Sequence, residues 1–236
     1  MKGWTYLSIT KEAQPLTITK GRRGKIIRLP EPLRLVVYIG GFIPLVWLIL
    51  DYIMGNLTVN PVQAILQRTG KYALVILILT LACTPANTIF HLRQALRVRR
   101  ALGLLSFFYA SLHLLAFIGL DYSFDLTLLR DAFIEQRNLI GLGAFAILLA
   151  MAVTSFRWWM KRMGKNWKRL HRLVYLGAVL VIIHFSLASK GDLLRIRGDI
   201  LEPAGYGLAV ALLLLLRVPF IRRLFARAPW IAPLAG

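Results

Sequence analysis

One apolar stretch decides the fold of this chain: ALGLLSFFYASLHLLAFIG, residues 101–119. It contains no Lys, Arg, Asp or Glu, and about 20 such residues in a helix cross the hydrocarbon core of a membrane. Five further stretches have a similar character, at 35–52, 72–90, 139–157, 173–189 and 205–219. The sequence therefore predicts an all-α integral membrane protein, built as a six-helix transmembrane bundle.

The overall composition agrees with this fold class. Hydrophobic residues make up 58% of the 236 residues, and the mean hydropathy of +0.64 is high for a soluble domain. Pro44 interrupts the first stretch and Thr84-Pro85 the second. Membrane helices tolerate proline where neighbouring groups satisfy the freed carbonyl, so both stretches remain predicted spans.

The distribution of charge predicts the orientation. A formal net charge of +20 would suggest a nucleic-acid partner for a soluble protein. Here 23 of the 30 Lys and Arg residues, but only two of the ten acids, lie in the two terminal segments and the linkers after the second and fourth stretches. The positive-inside rule then places both termini in the cytoplasm. We expect contacts with membrane lipid headgroups and no nucleic-acid partner.

These boundaries give a domain plan. We predict a basic cytoplasmic leader (1–34), a six-helix membrane domain (35–220) and a cytoplasmic tail (221–236) in a multi-pass protein. The outer segment Asp121–Asn138 has the apolar spacing of an amphipathic helix. It either lies on the membrane, the interpretation we favour, or serves as a docking surface for a partner.

The sequence excludes several kinds of activity. It has no Gly-rich phosphate loop between a strand and a helix, so nucleotide binding within the chain is not expected. It also has no nucleophile and base with a third member to orient them. Cys83 is the sole cysteine, so an internal disulfide is impossible.

The histidines carry the functional prediction, because ionisable residues at membrane depth usually mark a functional interior. His113 lies 13 residues beyond Arg100, and His184 lies 13 residues beyond His171. At ~1.5 Å per residue, both rise roughly 20 Å along parallel helices. We therefore expect His113 and His184 to lie at one level. Since neutral imidazole is a common metal ligand, the pair predicts a haem clamped between the third and fifth spans.

The other two histidines are less clear. Across from His171 the third span offers Arg99 or Arg100, and a guanidinium does not ligate iron because it keeps its proton. Thirteen residues at about 100° each also leave His171 and His184 roughly 140° apart in direction. A bend, or a different role for His171, is required. His91 has no partner at its predicted depth and is interpreted as a non-ligand.

At this point several segments resemble a known family. They are NPVQAILQRTGKYAL (60–74), LTLACTP (79–85), RRALGLLSFFYASLHLL (99–115), TS (154–155), WMKRMGKNWKRLHRLVYL (159–176) and IIHF (182–185). Together they resemble the haem-binding membrane subunits of the bacterial periplasmic protein-methionine-sulfoxide reductase system, the MsrQ or YedZ type of the ferric-reductase-like transmembrane family. The resemblance covers roughly residues 35–220, and it implies that this region is a ferric-reductase-like, haem-binding membrane domain of a multi-pass protein in a bacterial inner membrane.

The resemblance implies a non-catalytic redox subunit with b-type haem. It would take electrons from the quinone pool and pass them to a separate periplasmic molybdopterin-containing methionine sulfoxide reductase, which repairs oxidised envelope proteins. His113, His171 and His184 match the family's histidine positions, so the resemblance implies ligand roles for them. FMN is also associated with the family. A second, inner haem would need an unusual ligand opposite His171.

Two other functions remain open on the sequence. The first is a ferric- or cupric-reductase-like electron carrier that acts on external metal ions. The second is a haem-free proton-coupled transporter whose histidines carry protons.

Overall fold

The computed structural model describes residues 32–189 and 201–218. The predicted leader 1–34, apart from the first residues of the first helix, and the predicted tail 221–236 lie outside this part of the chain. Within it, all regular secondary structure is helical. The predicted all-α class is confirmed for these residues.

Nine α-helices follow one another along the described chain. They are α1 (Pro32–Ile53), α2 (Pro61–Phe90), α3 (Arg93–Ala116), α4 (Leu126–Ile134), α5 (Gln136–Val153), α6 (Arg157–Met163), α7 (Lys165–Leu170), α8 (Val174–Ala188) and α9 (Leu201–Leu215). A π-helical turn, Phe117–Asp121, extends α3, and a 3₁₀ turn, His171–Leu173, joins α7 to α8.

Five helical segments are long and apolar enough to cross a membrane: Leu35–Ile53, Pro61–Phe90, Arg93–Asp121, Gln136–Val153 and Lys165–Ala188. The sixth predicted span corresponds to α9, which is apolar but has only 15 residues. A multi-pass protein is therefore supported, while a sixth crossing stays a prediction. We call the end of the bundle where α1 ends and α2 begins the outer end, after the predicted orientation, and the opposite end the inner end.

Helix α2 begins eleven residues before the predicted span. The side chain of Asn60 accepts a hydrogen bond from the backbone N–H of Gln63 at 3.1 Å, and Pro61 occupies the first turn. Both features favour a helix start. The predicted span boundaries assigned this segment to an outer loop, but its polar residues Gln63 and Gln67 line a cavity.

Helix α2 also continues through Pro85. Proline has no backbone N–H, so the carbonyl of Leu81, four residues earlier, loses its usual helical partner. Nη2 of Arg217, just beyond α9, donates to this oxygen at 2.6 Å. The long-range bond satisfies the group that proline leaves free, and it ties α9 to α2.

The core joins two helical hairpins, α2 with α3 and α5 with α8. One buried cluster comes from α2, α5, α8 and α9 and contains Leu77, Leu81, Leu148, Val174, Ala178 and Val210. A second comes from α2 and α3 and contains Ala73, Ile76, Leu105 and Tyr109. Helix α1 is anchored to α3 where the hydroxyl of Tyr109 donates to the carbonyl of Gly41 at 2.6 Å. Most other side chains of α1 are exposed and apolar, as a lipid-facing helix requires.

The outer amphipathic segment is helical, as predicted, over Leu126–Ile134. The carboxylate of Asp125 caps this helix by accepting from the backbone N–H groups of Thr127 at 2.8 Å and Leu128 at 3.2 Å. Leu129 and Ala132 are buried against the bundle. Whether its exposed side meets lipid or a protein stays a prediction.

Candidate functional site

A cavity of about 810 Å³ opens in the outer half of the bundle, between α2, α3, α5 and α8. This volume is in the range of small-molecule and cofactor sites. His113 from α3 and His184 from α8 both line it. Each predicted member of the matched pair therefore lies on the wall of one shared cavity.

The two imidazole rings are direct neighbours in an edge-on arrangement. Their centroids are 6.2 Å apart, and their planes are inclined by 77°. Two metal–nitrogen bonds of about 2 Å place the ligating nitrogens about 4 Å apart, and roughly another 1 Å on each side reaches the ring centres. The sum, about 6 Å, agrees with the observed separation. The spacing thus suits one metal ion bound between both rings.

Backbone carbonyls fix which nitrogen of each ring is available. Nδ1 of His113 lies 2.9 Å from the carbonyl oxygen of Leu66, and Nδ1 of His184 lies 2.9 Å from that of Arg137. A carbonyl oxygen can only accept, so each Nδ1 carries the proton and donates. The lone pair is then on Nε2 in both rings. Metal-binding histidines in proteins are oriented in this way.

Glycines make room for both rings. A Cβ at Gly70 would lie 3.3 Å from the His113 ring, and one at Gly141 only 2.8 Å from the His184 ring. Gly70 follows Leu66 by four residues and Gly141 follows Arg137 by four, so each glycine is one helical turn from the carbonyl that orients the same ring. Each histidine is therefore held by a carbonyl and a glycine of the neighbouring helix.

The two halves of the site repeat the same spacing. In both hairpins the histidine lies 47 residues after the carbonyl that accepts its proton and 43 residues after its glycine. Leu66, Arg137, Gly70 and Gly141 were not predicted as site residues from the sequence. The constant spacing was the available signal, although only the packing of the hairpins shows what it does.

The cavity is polar at its outer rim and apolar in its depth. Lys71 and Arg137 lie on the rim, where Nζ of Lys71 is 2.6 Å from a carboxylate oxygen of Glu202, and Nη2 of Arg137 is 3.1 Å from one of Glu135. The deep walls are formed by Leu74, Leu77, Ala144, Phe145, Leu148 and Val181. Such a cavity suits a flat apolar molecule with carboxylates at one edge, which is the chemical character of haem.

The structure does not bring His171 to this pair. Its ring lies over Trp167, with centroids 4.1 Å apart, and its Nδ1 is 3.2 Å from the carbonyl oxygen of Trp167. His171 begins the 3₁₀ turn between α7 and α8. The helix is therefore irregular at His171, where the predicted difference in direction between His171 and His184 required a bend or a different role for His171. His91 ends α2 in a left-handed conformation and is exposed.

A metal site built only from protein side chains is not evident. Within residues 32–189 and 201–218, no group of three or more His, Cys, Asp or Glu residues could hold an ion. Two neighbouring histidines suit a metal that brings its other ligands with it, as iron in haem does.

Known proteins resemble this chain over most of its length. Residues 69–182 match the family described as ferric reductase like transmembrane component. A protein of Rhodospirillum rubrum named protein-methionine-sulfoxide reductase heme-binding subunit MsrQ is 38% identical over 80% of this chain and 89% of its own length. Proteins of the same name are 39% identical in Caulobacter vibrioides, over 66% of this chain and 76% of theirs, and 37% in Herminiimonas arsenicoxydans, over 78% and 83%. The chain belongs to the MsrQ family of ferric-reductase-like transmembrane proteins.

Proposed function

We propose that this protein is a membrane electron-transfer subunit that binds b-type haem between His113 and His184. The histidine pair carries the proposal: two rings 6.2 Å apart, each with Nδ1 directed to a carbonyl. The name of the relatives, a heme-binding subunit, supports the same cofactor. Iron with two imidazole ligands supplies one-electron transfer and has no open position for oxygen chemistry.

The residues around the pair would perform distinct tasks. Leu66 and Arg137 orient the rings through their carbonyls. Lys71 and Arg137 supply positive charge at the rim for carboxylate groups. The apolar side chains of the deep wall keep water from the centre of the cavity, which lowers the reorganisation that accompanies a change of charge.

We further propose that electrons come from the quinone pool and leave at the outer end to a periplasmic molybdopterin-containing methionine sulfoxide reductase. The relatives' name supports a partner in methionine sulfoxide reduction. The histidine pair lies at the outer end, which the charge distribution assigns to the periplasmic side, and this position supports delivery of electrons there. FMN is proposed from the family resemblance. His171 is proposed as a ligand of a second, inner group, since its Nδ1 contact leaves Nε2 available.

The test is an absorption spectrum of the purified protein with haem quantified per chain. We expect a dithionite-reducible Soret band in the wild type and its loss from this site in His113→Ala and His184→Ala. His91→Ala is the matched control, because His91 is exposed at the inner end of α2, and it should keep the band. Full haem content in both cavity variants would contradict the proposed pair. A wild type without haem would favour the proton-coupled transporter instead.

A ferric- or cupric-reductase-like carrier is the second candidate, and the match to the ferric reductase like family favours it. The two functions differ in the electron acceptor. Reduced protein should be reoxidised faster by a purified molybdopterin-containing partner than by ferric or cupric chelates. The reverse order would support the metal-reductase function.

A further inference from the structure

The guanidinium of Arg217 is held at the inner end of the bundle with hydrogen-bonding capacity unused. Nη2 donates to Leu81, and the group lies over the ring of Tyr175, 5.0 Å from its centroid. Nε and Nη1 are buried, yet neither has a hydrogen-bond partner among the described residues. Leaving donors of a buried charged group unpaired costs more than leaving neutral ones unpaired. The position therefore lacks an acceptor.

Two other polar groups, Thr84 and Arg99, also lie at the inner end of the bundle. The hydroxyl of Thr84 is also buried without a partner among the described residues, and it is less than one helical turn from Leu81 along α2. Arg99, at the inner start of α3, lies within electrostatic range of Arg217. Thr84 on α2, Arg99 on α3 and Arg217 just beyond α9 thus belong to the inner ends of helices that pack together, since α2 contacts both α3 and α9.

The chain itself offers little to neutralise them. Six acids fall in the described residues, and all belong to the outer end: Asp51, Asp121, Asp125, Asp131, Glu135 and Glu202. Residues 219–236, which follow Arg217, contain no Asp or Glu. Residues 32–189 and 201–218 therefore place no carboxylate at the inner end beside Arg217 and Arg99, and another molecule can supply the negative charge.

We propose that Arg217, Arg99 and Thr84 form a phosphate-binding site at the inner end of the bundle. A phosphate monoester carries between one and two negative charges at neutral pH and offers three acceptor oxygens. It can match both guanidinium groups and the hydroxyl, whereas a single carboxylate neutralises one charge. Guanidinium groups are also well suited to phosphate geometry. The phosphate belongs to a lipid headgroup, a phosphorylated cofactor or free phosphate.

This site is separate from the histidine cavity. The cavity is lined along α2 as far as Leu77, and Thr84, Arg99 and Arg217 do not line it. The proposal therefore does not depend on haem binding between His113 and His184.

The test compares wild type with Arg217→Gln and Arg99→Gln, using Arg97→Gln as the matched control. Arg97 is also on α3 near the inner end, but its side chain is exposed. Each protein is purified in phosphate-free buffer, and its melting temperature is titrated with inorganic phosphate against chloride of equal ionic strength. Total phosphorus per chain is measured, and mass spectrometry of the extract distinguishes phospholipid from a phosphorylated cofactor.

We expect the wild type either to retain about one phosphate per chain or to be stabilised by phosphate but not by chloride. Loss of one charge-assisted contact should weaken binding roughly tenfold or more in Arg217→Gln and Arg99→Gln, and Arg97→Gln should behave as wild type. Arg99→Gln leaves the bond from Arg217 to Leu81 intact, which guards against misfolding of the other variant. A wild type that neither retains phosphate nor responds to it would overturn the proposal, as would equal binding by all four proteins.

Discussion

Replacing Gly141 by alanine should separate haem binding from folding. The new Cβ would lie 2.8 Å from the Nδ1 and Cε1 atoms of His184, about 0.6 Å inside the 3.4 Å at which ordinary contact begins. The ring must withdraw, and its 2.9 Å hydrogen bond to the carbonyl of Arg137 would stretch to about 3.5 Å. Loss of that bond costs about 1 kcal/mol, whereas alanine stabilises a helix over glycine by nearly the same amount.

The free energy of unfolding should therefore change little, while the affinity for haem falls. Outer interactions that orient a ligating histidine typically contribute 10–100-fold to metal affinity, so we expect a loss of that order. The assay titrates haem into apoprotein and follows the Soret band, with denaturant unfolding measured in parallel. Gly143→Ala is the control, because its Cβ would meet only Leu180 at 4.0 Å. If Gly141→Ala binds haem as tightly as Gly143→Ala, with the same reduced spectrum, the glycine argument is wrong.

Two further predictions concern the scaffold. Tyr109→Phe removes the 2.6 Å hydrogen bond to the carbonyl of Gly41 and should lower the free energy of unfolding by about 1 kcal/mol. Faster proteolysis of α1 would confirm this effect. Unchanged stability would show that packing alone holds α1. At Asp125, outside the spans, hydrogen bonds from the Thr127 side chain and from backbone N–H groups hold the pKa below its ordinary value. The stabilisation of α4 by this cap should be complete above the ordinary carboxyl pKa and lost as the pH falls through the lowered pKa of Asp125. Amide hydrogen exchange of α4, corrected for intrinsic rates, should therefore rise in acid for wild type but not for Asp125→Ala.

The number of residues along each predicted span was enough to place His113 and His184 at one level, because each residue of a straight helix adds a fixed rise. This placement does not require knowledge of how the hairpins pack. The carbonyls of Leu66 and Arg137 could not be predicted from the sequence, because every residue has a backbone carbonyl. Their role depends on which helix lies alongside.

The extent of α2 was underestimated for a different reason. The predicted span boundaries assigned residues 51–71 to an outer loop, but polar residues in a membrane protein can also belong to a helix and face an internal cavity. Pro85, by contrast, does predict a carbonyl without a helical partner at Leu81. Sequence alone could not show that Arg217, 136 residues away, supplies the donor.

The equal 47-residue spacing in the two hairpins has a consequence for biosynthesis. Each hairpin contributes one histidine with its own carbonyl and glycine, so neither half can grip a metal from both sides. During synthesis α2 and α3 enter the membrane well before α8 emerges. Stable capture of the cofactor must then await insertion of the second hairpin. The haem content per chain therefore reports whether both hairpins are assembled. A chain truncated before residue 184 should lack the Soret absorbance of the bound haem.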